Sequence, residues 1–194
     1  MNAIRAFIAI ELPQVTLDAL AEVQARLGHH VPRDSVRWVK PGNVHLTLKF
    51  LGQVPTAQIS TIATALRHAV AGVRVFPFEV MNAGCFPNER RPRVIWVGVD
   101  EPTGALLALQ RAIESAIAPL GYPGEPHAFQ PHLTLGRTTR DVKPADLHKI
   151  GDAVQAAKIG LLGHVHADDV VLFQSDLSSG GSIYTALMRV PLSR

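Results

Sequence analysis

The sequence predicts a fold of mixed strands and helices, built as two related lobes packed about a pseudo-twofold axis. Three observations carry this expectation. The word His-Leu-Thr-Leu stands at His45 to Leu48 and recurs 87 positions later at His132 to Leu135. In both halves a strand and a helix precede the word and a helix follows it, which is the mark of an internal duplication. Finally, 194 residues with 47% hydrophobic and 18% charged side chains suffice to bury a core, so residues 1–194 are expected to form a single domain of two lobes.

The elements follow in order. Arg5 to Leu12 reads as a strand, and Pro13 suits the start of a helix whose apolar positions are Val15, Leu17, Leu20, Val23 and Leu27, ending at Gly28. Val36 to Val39 is a short strand, Pro41-Gly42-Asn43 a turn, and Val44 to Leu51 alternates apolar and polar residues with period two. Pro55 can open a helix carrying Ile59, Ile62, Ala63, Leu66 and Val70, before a strand near Val73 to Met81. Gly84 to Arg93, rich in Gly, Pro, Asn and Arg, reads as a loop. The order then repeats. A strand at Val94 to Val99 leads to Asp100, which can cap a helix with Leu106, Leu109, Ile113 and Ile117, and a connector leads to the strand at His132 to Arg137. Pro144 opens another helix. The last strands are Asp168 to Gln174 and Ile183 to Val190, joined by the turn-prone Ser178-Ser179-Gly180-Gly181.

Composition narrows the class. The apolar runs are strand-sized, short of the roughly 20 residues a membrane helix needs, and Met1 to Glu11 lacks the long apolar stretch of a secretory signal. A cytoplasmic protein is expected. Cys85 has no partner cysteine and is expected to act as a small hydrophobe. A net charge of +3 with pI near 9.4 suits a polyanionic ligand but falls short of a nucleic-acid coat protein.

The chemistry lies in the repeated word. Residues two apart on a strand share a face, so His45 and Thr47 point one way while Val44, Leu46, Leu48 and Phe50 point into the core. His132 and Thr134 repeat the division, and pseudo-twofold packing brings both polar pairs to one cleft. Opening a cyclic phosphate needs one proton taken from water and one given to the departing ribose oxygen. Two imidazoles titrating near ~6.5 can supply both roles, and two threonine hydroxyls can donate to the phosphate oxygens. No metal or other cofactor is needed. Of the remaining histidines, His29, His30, His68, His127 and His148 have no matching partner, while His164 and His166 share a strand face but lack a third ligand, so a solvated strand edge is expected there.

Val36-Arg-Trp-Val-Lys-Pro-Gly-Asn-Val-His-Leu-Thr-Leu-Lys-Phe-Leu-Gly52 and Phe129-Gln-Pro-His-Leu-Thr-Leu-Gly-Arg137 closely resemble the two His-x-Thr-x regions of the two-histidine phosphoesterases, specifically the RNA 2′,3′-cyclic phosphodiesterases, also called 2′-5′ RNA ligases or LigT-like proteins. Arg5 to Pro13, Arg91 to Gly98 and Ser175 to Tyr184 are similar to that family too. The resemblance implies a bilobal α+β fold with antiparallel sheets flanking a central cleft, helices on the outer faces, and conversion of RNA 2′,3′-cyclic phosphate ends to 2′-phosphomonoesters. It implies that His45 is the proton donor, that His132 is the proton acceptor, and that Thr47 and Thr134 bind phosphate. It also places Arg137 near the base or phosphate. A regular strand would point Arg137 away from His132, so a bulge at Gly136 is expected to restore it. Lys40, Lys49, Arg90, Arg91 and Arg93 suit a solvated basic surface at least as well as an RNA contact.

The expected partner is thus an RNA or oligonucleotide with a 2′,3′-cyclic phosphate terminus, and nothing in the sequence calls for a membrane or an obligate protein partner. The same constellation also suits an ADP-ribose cyclic phosphate or a small cyclic nucleotide. Reversible 2′-5′ ligation is expected as a side reaction. A pure nucleotide-binding module would have little need of histidine in both words.

Overall fold

A computed structural model describes residues 2–178 and 181–194. The chain runs β1 (Ala3–Ile10), α1 (Gln14–Gly28), β2 (Val36–Trp38), β3 (Leu46–Pro55), α2 (Ile59–Val70), β4 (Phe76–Phe86), β5 (Val94–Asp100), α3 (Ala105–Ile117), β6 (His132–Thr138), α4 (Pro144–Ala156), β7 (Leu161–Ala167), β8 (Asp169–Ser178) and β9 (Gly181–Pro191). The predicted helices are all present. Their buried residues, such as Leu20, Val23 and Leu27 of α1 and Leu109, Ile113 and Ile117 of α3, follow the expected 3.6-residue stripe. Val15 departs from it and is exposed, because Thr16 and Leu17 turn the buried face of α1 past it. No helix of the described residues is long and apolar enough to cross a membrane.

The strands join in the order β7-β4-β5-β6-β3-β1-β8-β9, with β2 on the edge of β6 that β3 leaves free. The neighbours on this path are antiparallel. The two expected sheets therefore meet as one curled surface, joined at its centre by the single pair Leu46↔Leu133. Both leucines are fully buried, so the join is anchored in the core.

The halves of the chain interlock. β1 of the first half pairs with β8 of the second, Ile8 opposite Leu172, while β5 of the second half pairs with β4 of the first, Ile95 opposite Cys85. The helices are exchanged in the same way: α3 packs on β3 and α2, whereas α1 packs on β7 and α4 on β4. Each lobe thus draws strands and helices from both repeats.

Several boundaries differ from the sequence expectation, each for a local reason. β4 continues to Phe86 through part of the expected loop, because Gly84 leaves room for the Trp96 ring; a Cβ there would lie 2.4 Å from a ring carbon. Asp100 ends β5 and does not cap α3. Gly104, at φ +83°, is the N-cap, and the Glu101 carboxylate accepts the N–H groups of Thr103 and Leu106, each at 2.9 Å. β7 is an additional edge strand, with His164 and His166 on its exposed face as a solvated edge requires. In the expected turn at residues 178–181, Ser179 and Gly180 lie outside the described residues.

Candidate active site

The two His-Leu-Thr-Leu words meet at the join. In the register of Leu46↔Leu133, His45 neighbours Thr134 and Thr47 neighbours His132, positions at which opposed Cβ atoms lie about 4.5–5.5 Å apart. The local axis passes between the two leucines. His45 lies just before β3 rather than within it, but the predicted alternation holds: Val44, Leu46 and Leu48 are buried, while His45 and Thr47 are half-buried on the other face.

The words also share a distortion. Ile8 faces Lys49 and Ala9 faces Thr47, so β3 bulges at Leu48; Ile95 faces Gly136 and Trp96 faces Thr134, so β6 bulges at Leu135. A bulge shifts every later side chain to the opposite face. Arg137 is thereby returned to the cleft, by a bulge at Leu135, one residue before the Gly136 at which it is expected. Phe50, at the equivalent position of the first repeat, is turned out of the core and is 51% exposed on the cleft side. The expectation that Phe50 packs inward is therefore overturned. Lys49 takes the inward direction and is 5% exposed. Its Nζ donates to Glu114 Oε1 at 2.5 Å and to the Pro123 carbonyl at 3.3 Å. Lys49 is thus a buried ion-pair partner and not part of a solvated basic surface.

A cleft of about 200 Å³ opens over the join, lined by His45, Thr47, Thr134, Arg137, Phe50 and Tyr184 among others. His132 is not part of its lining and stands at its margin. There the Phe86 ring meets it edge-on, with centroids 4.9 Å apart. His45 instead stacks on Phe7 at 4.6 Å and 24°, and meets the edge of Tyr184 at 5.2 Å. Phe7, Ala9, Val171 and Phe173 form a small apolar cluster beneath it, apart from the main core.

Both imidazoles are oriented alike. His45 Nδ1 lies 2.8 Å from the Asn43 carbonyl and His132 Nδ1 2.7 Å from that of Gln130. A carbonyl can only accept, so each Nδ1 carries a proton, and each Nε2 is left to take up or release one. Burial is the main influence on both rings. It pushes His45 down to about 4 against the raising effect of its Asn43 bond and Glu11, and it also lowers His132. A charge on His132 lowers His45 further, so the two rings sense one another.

The described residues hold no group of three or more His, Cys, Asp or Glu side chains disposed to share a metal ion. Burial raises the Cys85 thiol to about 12, leaving it an unreactive core residue. Arg90, Arg91 and Arg93 are exposed. The sequence reading missed the aromatic neighbours Phe7, Tyr184 and Phe86, because an aromatic residue in an apolar strand gives no sign of which face it takes.

The model of the LigT like Phosphoesterase family matches twice, over residues 10–96 and 97–184, one match for each word. The chain belongs to this family. It is 31% identical to the RNA 2′,3′-cyclic phosphodiesterase of Methanothermobacter thermautotrophicus, over 94% of this chain and 95% of the relative. To the protein of the same name from Thermotoga maritima it is 33% identical, over 94% and 92%. Among LigT-like structures, Escherichia coli LigT complexed with 3′-AMP superposes with a TM-score of 0.78 at 26% identity, covering 100% of both chains.

Proposed function

We propose that this LigT-like protein hydrolyses 2′,3′-cyclic phosphate ends of RNA to 2′-phosphomonoesters by metal-independent acid–base catalysis. The observation that carries this reading is the pairing of two His/Thr sets across one strand join, each imidazole held through Nδ1 and with no partner on Nε2 among the described residues. The names of its relatives supply the substrate class.

In this reading His132 takes a proton from water, the water oxygen bonds to phosphorus, the bond from phosphorus to O3′ breaks, and His45 delivers a proton to O3′. Thr47 and Thr134 hold the non-bridging oxygens and stabilise the charge that builds on them. With a 5′-hydroxyl in place of water, the same roles give a 2′-5′ link as a side reaction, needing no nucleotide cofactor. Phe50 and Arg137 offer a ring face and a guanidinium on which the terminal base can stack.

A proton donor with a pKa of about 4 in the free protein would be almost wholly neutral at pH 7. The substrate corrects this. A phosphate anion about 4 Å away, at an effective dielectric near 20, is worth ~4 kcal/mol, or ~3 pKa units. Binding therefore returns His45 to the neutral range just when the proton is needed.

The test is to incubate the protein with an oligoribonucleotide ending in a 2′,3′-cyclic phosphate, in EDTA, and to identify the terminal group by mass spectrometry and phosphatase sensitivity. A 2′-phosphate is expected. Failure in EDTA with rescue by a divalent ion would overturn the metal-independent mechanism, and a 3′-phosphate would reverse the assignment of the leaving oxygen.

A further inference from the structure

The cleft does not end at Arg137. β2 continues the wall where β3 departs from β6, and its register sets Arg37 directly opposite Arg137. Opposed residues of an antiparallel pair share a face. The neighbours of Arg37 confirm that face: Val36 and Trp38 pack against the core and close over Gly136, where a Cβ would lie 2.8 Å from Val36 and 3.0 Å from Trp38. Val39, just past the end of β2, borders the cleft as well as the core. Arg37 is therefore the next cationic side chain beyond Arg137 on the cleft face, outside the enclosed volume.

Two guanidiniums directly opposed on one face repel each other. Both are exposed, and among the described residues neither makes a side-chain hydrogen bond or an ion pair. With Arg137 committed to the terminal nucleotide, Arg37 is the guanidinium beside it that suits a further anion. We propose that Arg37 binds the backbone phosphate on the 5′ side of the terminal cyclic nucleotide, so that the protein selects RNA chains over free nucleoside cyclic phosphates. This rests on the reading of the cleft as an RNA-end site. A chain that terminates in a 2′,3′-cyclic phosphate can extend only in the 5′ direction, and about 200 Å³ leaves little room beyond one nucleotide. The next phosphate must then lie outside the cleft. On the opposite side Arg5, Ser175 and Ser182 line the cleft itself, but the rim beyond them ends in the exposed apolar side chains Leu177 and Ile183 of the β8–β9 hairpin, whereas the β2 rim carries the Arg37 guanidinium.

The experiment compares kcat/KM for a nucleoside 2′,3′-cyclic monophosphate and for a tetraribonucleotide with the same terminal base and cyclic phosphate, using wild type, Arg37→Gln and Arg37→Lys across a range of salt. Wild type should prefer the tetramer. Arg37→Gln should lose about 5- to 20-fold on the tetramer, the scale of one charge-assisted phosphate contact, and less than twofold on the monophosphate. The slope of log kcat/KM for the tetramer against log salt should become shallower by about 0.7 in Arg37→Gln, and Arg37→Lys should keep the wild-type slope. Since Arg37 is exposed, the variant should melt no lower than wild type. An Arg37→Gln variant with unchanged tetramer kinetics, or with equal losses on both substrates, would overturn the proposal. Failure of wild type to open either cyclic phosphate would instead remove the RNA-end reading beneath it.

Discussion

The two walls of the cleft start from the same four-residue word, with the same bulge after its threonine, yet surround their histidines differently. His45 lies on Phe7 above an apolar cluster and under the edge of Tyr184. At the position equivalent to Phe7 the second repeat has Val94, and among the described residues the one aromatic neighbour of His132 is Phe86, nearly perpendicular to it. The bulge delivers Phe50 on one side and Arg137 on the other. Duplication thus accounts for a symmetric set of two histidines and two threonines, the groups proposed to transfer protons and bind phosphate, and the neighbours break the symmetry. A reaction with one attacking and one leaving oxygen needs that break, because the two imidazoles must differ in protonation at the same instant.

The largest expected effect comes from removing either histidine. His45→Ala and His132→Ala should each lower turnover of a 2′,3′-cyclic RNA end by about 10²- to 10⁴-fold. The double variant should lose little more, since both groups serve one transition state. Circular dichroism should show all three folded. Strictly multiplicative losses would mean that the imidazoles act in separate steps. Thr47→Ala and Thr134→Ala come next, with about 10- to 1000-fold lower kcat, the scale of removing one preorganised donor to a developing anion. Wild-type kcat in both folded variants would make the threonines structural and leave the join without a phosphate cradle.

Much of this site was legible before any coordinates. The repeated word gave the four central side chains, and strict alternation gave their face, because period two is a property of the backbone. The odd spacing of His132 and Arg137 announced a bulge in β6, although it falls at Leu135 and not at Gly136. Nothing in Leu48-Lys49 announces the corresponding one, yet the repeat itself carries the signal: if Arg137 needs a bulge to face the cleft, Phe50, five residues into the other word, needs the same. The exchange of strands between repeats was not legible, since the apolar residues of β4 and β8 show that each is a buried strand but not which of β1 and β5 it pairs with. Only the packed sheet decides that β1 takes β8. The exchange also implies that neither half should fold alone. We propose that residues 1–194 form one cooperative unit, and fragments 1–92 and 93–194, expressed separately, should lack the cooperative melting of the whole chain.

A smaller effect sharpens the comparison of the walls. In the free protein both rings lose their proton below the ordinary histidine range, His45 at about 4, so kcat/KM should peak below pH 6.5 and fall as pH rises. In the substrate complex the phosphate raises His45, so kcat should peak at higher pH than kcat/KM. Rates at saturating and limiting substrate across pH 4–9 check this. Coincident optima would mean that the phosphate does not lie beside His45.

The smallest expected effect concerns stability and isolates His45 from catalysis altogether. Its folded pKa, about 4, lies below the ~6.5 of an unfolded chain. Between these values the unfolded state holds a proton that the native state does not, so stability rises with pH across that window. The contribution is complete above ~6.5 and is lost as pH falls toward 4. The shift corresponds to at most ~3 kcal/mol, and partial exposure of the ring reduces it to roughly 1–2 kcal/mol. His45→Gln removes the titrating group, so the variant should lose less stability than wild type between pH 7 and 4.5 in urea titrations. Inorganic phosphate should flatten the wild-type slope in the same way, by holding the proton on His45 in the folded state. Parallel stability curves for wild type and His45→Gln would show that the apolar cluster under Phe7 does not hold the ring neutral. The asymmetry of the two walls would then need another source.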